Sequence, residues 1–98
     1  MVDVVSKGFS VVKFGAEWCG PCKQMDRIMK KVRLEFSEVS FQEVDVDDDP
    51  VAAKDYKIRS VPTVILFRDG QEVNRLVGLS QTEAIRKAFR DLTKEKAA

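Results

Sequence analysis

The sequence lacks several features that indicate common classes of function. It has no histidine and only two cysteines, and its 17 basic and 16 acidic side chains give a net charge of +1. This balance gives no indication of a nucleic-acid partner or of binding to an anionic membrane surface. Two cysteines are too few for a disulfide-stapled scaffold. The length and the ordinary share of apolar residues predict one globular domain over residues 1–98.

Long apolar segments are also absent from the sequence. No stretch approaches the roughly 20 apolar residues that a membrane-crossing helix needs. The N-terminal segment lacks the basic region and apolar run of a secretory signal. We therefore expect a cytoplasmic protein without membrane association. In that reducing compartment, two closely spaced cysteines are more often catalytic or metal-binding than a structural disulfide.

Both cysteines lie in the stretch FGAEWCGPCKQMDR, residues 14–27. The β-branched and aromatic segment at residues 10–16 predicts a buried strand, and apolar residues at helical spacing after the cysteines predict a helix. Cys19 would then lie at the helix N-terminus, where backbone N–H groups and the helix dipole can lower a thiol pKa from about 8.5 towards 7. We expect a solvent-facing Cys19 that attacks a disulfide, and Cys22 one turn later to resolve the mixed disulfide.

Two other interpretations of the cysteine pair stay open at this point. Both residues could be small buried apolar side chains. They could also bind zinc, but such a site usually needs four ligands. Without histidine or a second CxxC, the other ligands would be carboxylates or come from a second chain. The aspartates at positions 45 and 47–49 lack the pattern of a calcium loop, so we expect a solvated loop that ends in a helix cap, and no bound metal.

The rest of the sequence predicts an α/β domain. Strand patterns occur at residues 10–16, 39–46, 61–67 and 71–77. Helix patterns follow the cysteines, run from the Asp49-Pro50 start to about Lys57, and begin at a capping box of Ser80 and Glu83 with an apolar stripe that includes Ala84. Because the first two strands alternate with helices, they should be parallel, whereas the tight Asp69-Gly70 turn should make the last two antiparallel. The expected architecture is a mixed sheet with helices on both faces.

The motif AEWCGPCK, followed by SVPT and then VGL, resembles thioredoxin over roughly Val11–Leu92. The resemblance implies a thioredoxin fold and dithiol–disulfide exchange on protein substrates. It implies that Cys19 attacks, that Cys22 resolves, and that the Val61-Pro62 bond is cis. The residues that it places at the substrate surface are Trp18, Gly20, Pro21, Val61, Pro62 and Gly78.

The resemblance also implies a direction for the reaction and its partners. The Gly-Pro dipeptide resembles that of reducing thioredoxins, whose potentials lie near about −270 mV, so a protein-disulfide reductase is expected. Electrons would come from a partner reductase such as thioredoxin reductase. No cofactor is expected beyond the Cys19–Cys22 disulfide, and we expect a monomer. Two alternatives stay open: an interaction subunit with a secondary redox role, and a glutathione-linked, glutaredoxin-like protein.

Two departures from the family pattern carry further expectations. Lys13 stands where the family usually has a buried aspartate, and Glu43 stands where it usually has a lysine. We expect a buried Lys13–Glu43 ion pair in which Glu43 accepts the proton of Cys22; the alternative is that both side chains reach solvent. Only about nine residues precede the first strand, so the first family helix should be missing and the sheet should have four core strands.

Overall fold

The computed structural model describes residue 2 and residues 4–94. Its elements in chain order are β1 (Phe9–Gly15), α1 (Gly20–Leu34), β2 (Val39–Asp45), α2 (Pro50–Asp55), β3 (Thr63–Arg68), β4 (Gln71–Val77) and α3 (Thr82–Lys94). The four strands form one sheet in the order β2-β1-β3-β4. Among the described residues, no helix combines the length and apolar character needed to span a membrane.

The strand directions are those that the sequence predicted. β1 and β2 are parallel, and β3 runs antiparallel to both β1 and β4. Asp69 and Gly70, with φ angles of 51° and 83°, form the tight turn between β3 and β4. Both angles lie in the left-handed region that Asp-Gly turns favour, so the mixed sheet of four strands is confirmed.

Alternating side chains of the central strands divide the core into two clusters. Val11 and Leu66 pack with α1 and α3, whereas Val12 and Ile65 pack in the cluster that includes α2. Because successive side chains of a strand face opposite sides of the sheet, helices cover both faces, as predicted. Lys13 shares the face of Val11 and therefore points towards α1 and α3.

The described part of the N-terminal segment contains no helix or strand before Phe9. Val2 and Val4 pack against the second core cluster, beside Tyr56 and Ile58. The described residues thus form a sheet of four strands, as predicted.

The third strand begins later than predicted. β3 starts at Thr63, two residues after the predicted start at Val61. Pro62 has no N–H group to donate to a neighbouring strand, so the Val61-Pro62 segment lies outside the sheet. The bond between these two residues is cis, as the family resemblance implied.

The start of the last helix also differs from the prediction. α3 begins at Thr82, and the Glu83 carboxylate accepts a hydrogen bond from Arg86 further along the helix. The predicted capping box of Ser80 and Glu83 is therefore wrong. Ala84, predicted to belong to the apolar stripe, is exposed, and the buried stripe begins at Ile85.

An ion pair joins the end of α1 to α3. Arg86 donates from Nε and Nη2 to the two carboxylate oxygens of Glu35, each at 2.8 Å. These hydrogen bonds hold the pKa of Glu35 below its usual value of 4.5. A carboxyl group whose pKa is lowered by folding stabilises the fold above its unfolded pKa, and this stabilisation is lost as the pH falls through the folded pKa.

We expect Glu35→Gln to lower the free energy of unfolding slightly near neutral pH, because the exposed pair is screened by solvent. The difference from the parent should shrink as the pH is lowered, since the parent carboxylate then becomes protonated. Urea unfolding of both proteins at a series of pH values measures this. Glu38→Gln, an exposed site before β2, is the control. A difference for Glu35→Gln that stays constant down to acidic pH would contradict the prediction.

Candidate active site

The sheet topology brings four chain segments to one edge. In register, Phe14 near the end of β1 faces Thr63 at the start of β3, and Thr63 faces Val77 at the end of β4. Gly15 pairs with Asp45 at the end of β2. The segments that follow β1, β2 and β4, and the one that precedes β3, therefore meet at this edge. Both cysteines lie here.

Cys19 and Cys22 form a disulfide with a Cα–Cα distance of 5.3 Å. Cys19 is the N-cap of α1, and its sulfur accepts a hydrogen bond from the Cys22 N–H at 3.1 Å. Pro21 lies in the first turn, where a missing N–H costs little. The N-terminal end of a helix favours negative charge, so a thiolate at position 19 is stabilised when the disulfide is reduced.

The cysteines are less exposed than predicted. In the disulfide form Cys19 is 4% exposed and Cys22 is 2% exposed. The expectation that Cys19 faces solvent is wrong for this state, in which the Cys19 sulfur is bonded to Cys22 and accepts a hydrogen bond from the first turn of α1. Trp18 is 71% exposed, and Gly20 and Pro21 are also exposed. The motif therefore presents its non-cysteine residues at the surface around a mostly covered disulfide.

Three aspartates at the end of β2 and in the loop that follows it accept hydrogen bonds through their side chains. Asp47 accepts a hydrogen bond from the Trp18 indole N–H at 2.8 Å, and Asp45 accepts one from the Asp47 N–H at 2.8 Å. Asp49 caps α2 as predicted, and its bond from the Ala52 N–H holds the pKa of Asp49 below its usual value. Within residue 2 and residues 4–94, no group of three His, Cys, Asp or Glu side chains could hold a metal ion.

Pro62 and Gly78 come together at the same edge of the sheet. The Gly78 N–H donates to the Pro62 carbonyl at 2.8 Å, and the φ angle of Gly78 is 88°. That left-handed conformation favours glycine. Val77 and Leu79, on either side of Gly78, are exposed apolar residues. Their positions give this edge of the sheet an apolar surface.

The predicted ion pair between Lys13 and Glu43 is wrong. The two residues are register partners on β1 and β2 as expected, but the Lys13 ammonium group pairs with the Asp26 carboxylate of α1. Lys13 is buried and Glu43 is exposed. The long lysine side chain reaches the helix that covers its face of the sheet, whereas Glu43 lies on an edge strand beside water. Glu43 lines the same cavity as Cys22, and its role as proton acceptor stays a prediction.

Sequence reasoning missed Asp26, although a signal for it exists. Asp26 follows Cys22 by four residues, and residues at this spacing lie on the same face of a helix. A buried lysine on the strand under that face needs a carboxylate within reach. The helix spacing and the need for a partner together would have indicated Asp26.

Because Gly15 has no side chain, a small space remains between its Cα atom and the side chains of Lys13 and Cys22. A Cβ atom at Gly15 would lie 3.2 Å from Lys13 Nζ and 3.3 Å from Cys22 Sγ. Both separations are tighter than an ordinary van der Waals contact. A larger residue at this position would therefore push against the lysine and the resolving cysteine.

We expect Gly15→Val to lower the free energy of unfolding by about 1–3 kcal/mol, the usual cost of overpacking. Urea unfolding of the oxidised protein measures this loss. Gly20→Val is the matched control, because a Cβ at Gly20 would meet no atom within 4 Å. Equal losses for the two variants would show that the space at Gly15 has no special role.

Comparison with known proteins agrees with this geometry. The thioredoxin family model matches residues 2–91. A thioredoxin from Chlamydia caviae is 41% identical over 81 residues, which cover 83% of this chain and 79% of that protein. A thioredoxin from Mycobacterium bovis is 37% identical over 92 residues, which cover 92% of this chain and 79% of that one.

Solved structures show the same likeness. Oxidised mitochondrial thioredoxin 3 from Saccharomyces cerevisiae superposes with a TM-score of 0.82 and 35% identity, over 88% of this chain and 80% of that chain. A mutant thioredoxin from Halobacterium salinarum gives a TM-score of 0.82 and 31% identity, over 89% of this chain and 76% of that chain. With the disulfide at the tip of α1, these matches show that the chain belongs to the thioredoxin family of thiol–disulfide oxidoreductases.

Proposed function

We propose that this thioredoxin-family chain acts as a monomeric cytoplasmic reductant of protein disulfides. The observation that carries the proposal is the Cys19–Cys22 disulfide at the N-terminus of α1. Cys19 caps the helix and Cys22 lies one turn inside it, so the two sulfurs are close enough to form and break a bond with each other. The Gly-Pro dipeptide supports the reducing direction, because it resembles that of thioredoxins with potentials near about −270 mV.

The reaction proceeds by two exchanges of sulfur–sulfur bonds. The Cys19 thiolate attacks one sulfur of the substrate disulfide, that bond breaks, and one substrate thiolate leaves. The Cys22 thiolate then attacks the Cys19 sulfur, which releases the second substrate thiolate and closes the Cys19–Cys22 disulfide. The substrate gains two electrons, which the protein dithiol loses. A partner reductase of the thioredoxin reductase class would return them.

The substrate surface in this proposal surrounds the disulfide. Its members are the residues implied by the family resemblance, namely Trp18, Gly20, Pro21, Val61, Pro62 and Gly78. The exposed indole of Trp18 and the exposed apolar residues beside Gly78 support this assignment. An extended apolar segment of a substrate would contact both sides of the disulfide.

The test is the reduction of insulin with dithiothreitol as electron donor, together with the redox potential of the Cys19–Cys22 couple. We expect catalysed precipitation of reduced insulin and a potential nearer to about −270 mV than to the about −120 mV of a strong oxidant. The double variant Cys19→Ser, Cys22→Ser should be inactive. A potential near the oxidant value would contradict the reducing direction. Activity with glutathione but none with a thioredoxin reductase would favour the glutaredoxin-like alternative.

A further inference from the structure

Lys13 is the one charged residue that is buried among the residues the structure describes. Its ammonium group pairs with Asp26, whose side chain is 41% exposed. Burying the Lys13 charge is costly, and this cost offsets much of what its pairing with Asp26 contributes to stability. The position of Lys13 therefore calls for an explanation beyond stability.

The Lys13 ammonium group lies close to the sulfur of the resolving cysteine. Lys13 Nζ and Cys22 Sγ are 3.2 Å and 3.3 Å from the same point, the Cβ position above Gly15. The two atoms are therefore no more than about 6.5 Å apart. An opposite charge at such a distance favours the ionised form of a titratable group. The ammonium group would act on a Cys22 thiolate in this way.

The other charges around this space are mostly negative. Lys13 and Cys22 line one cavity, and six further titratable residues from α1, β2 and the adjoining loops line it with them: Glu17, Lys23, Asp26, Glu43, Asp45 and Asp48. Five of these six are carboxylic acids, which oppose the formation of a thiolate. The buried ammonium group of Lys13 opposes the effect of these carboxylates on the Cys22 sulfur.

We propose that Lys13 is a positioning residue for the resolving step, in which its ammonium group, held by Asp26, stabilises the thiolate of Cys22. In this step the Cys22 proton leaves to solvent through the open cavity. The bond between Cys22 Sγ and Cys19 Sγ then forms, the bond between Cys19 Sγ and the substrate sulfur breaks, and the substrate leaves as a thiolate. The proposal rests on the dithiol exchange described above and gives the resolving cysteine its own electrostatic support.

The test is a titration of the Cys22 thiol in the Cys19→Ser background, followed by the ultraviolet absorbance of the thiolate. Serine is among the best N-cap residues, so it preserves the start of α1, and a single thiol avoids coupled titration. Lys13→Met removes the cation, and the partly exposed Asp26 carboxylate can then be hydrated. Lys87→Met is the matched control, because Lys87 pairs with Asp91 at 2.8 Å on the exposed face of α3. Circular dichroism verifies that each variant is folded.

We expect Lys13→Met to raise the pH midpoint of Cys22 ionisation by about one unit, the low end for a nearby charge because Asp26 partly cancels it. Asp26→Asn should lower the midpoint, and Lys87→Met should leave it unchanged. In the protein with both cysteines, Lys13→Met should slow resolution of a mixed disulfide at Cys19 about threefold at pH 7. The fraction of Cys22 present as thiolate falls about tenfold, and the greater nucleophilicity of the more basic thiolate offsets about threefold of that loss.

An unchanged midpoint in the folded Lys13→Met variant would overturn the proposal and leave Lys13 a structural residue. A rise in the midpoint for Asp26→Asn equal to that for Lys13→Met would also overturn it, because the carboxylate would then be the acting group. The titration needs no substrate, so its outcome is independent of the insulin assay that tests the reducing function.

Discussion

Cys19→Ser should lower the rate of insulin reduction by more than about 1000-fold, because a serine hydroxyl is not ionised at neutral pH and cannot replace the thiolate nucleophile. The fold should be retained, since serine can accept the N-cap hydrogen bond that the Cys19 sulfur accepts from the Cys22 N–H. Insulin precipitation measures the rate, and circular dichroism verifies the fold.

Cys22→Ser is the companion variant, because it keeps the attacking thiol and removes the resolving one. It should also fail to turn over, but it should accumulate a mixed disulfide with the substrate at Cys19. Mass spectrometry of the trapped adduct identifies the modified cysteine. Substantial turnover by the folded Cys19→Ser variant would contradict the assigned order of the two exchanges.

Phe89→Ala should lower the free energy of unfolding by about 3–5 kcal/mol, the usual cost of truncating a buried aromatic side chain. Phe89 is fully buried on α3, and its ring lies 5.4 Å from that of Phe36. A loss of this size is a large part of the about 5–15 kcal/mol that stabilises a typical domain. Urea unfolding of the oxidised protein measures it.

Leu34→Ala is the control for the core substitution, because Leu34 lies at the end of α1 and is 84% exposed. It should change the free energy of unfolding by no more than about 0.5 kcal/mol. Similar losses for Phe89→Ala and Leu34→Ala would contradict the assignment of Phe89 to the core between α3 and the sheet.

The fold could be predicted because its signals are local. The short runs rich in β-branched and aromatic residues indicate β1 and β3 as strands that are buried on both faces. The Asp69-Gly70 turn indicates the antiparallel pairing of β3 and β4. The boundaries at β3 and α3 were less predictable. The strand β3 begins only after Pro62, which lies outside the sheet. The helix α3 begins at Thr82, two residues after its predicted cap, Ser80.

The active site was predictable only in part. The cysteine motif and the strand before it place Cys19 at a helix N-terminus, and the structure has it there. The choice of partner for Lys13 depends on which of two carboxylates lies within reach of its ammonium group. Asp26 is brought within reach by α1, whereas Glu43, the register partner of Lys13 on β2, remains exposed. This distinction requires the packing of a helix on the sheet, which strand register alone does not provide.

Alkylation of the fully reduced protein as a function of pH tests the central claim most directly. The claim is that exchange begins at a thiolate stabilised by the end of α1. Mass spectrometry after brief treatment with iodoacetamide should show Cys19 modified first, with a rate midpoint well below the about 8.5 of free cysteine. Modification of Cys19 with the midpoint of a free thiol, or faster modification of Cys22, would contradict the account.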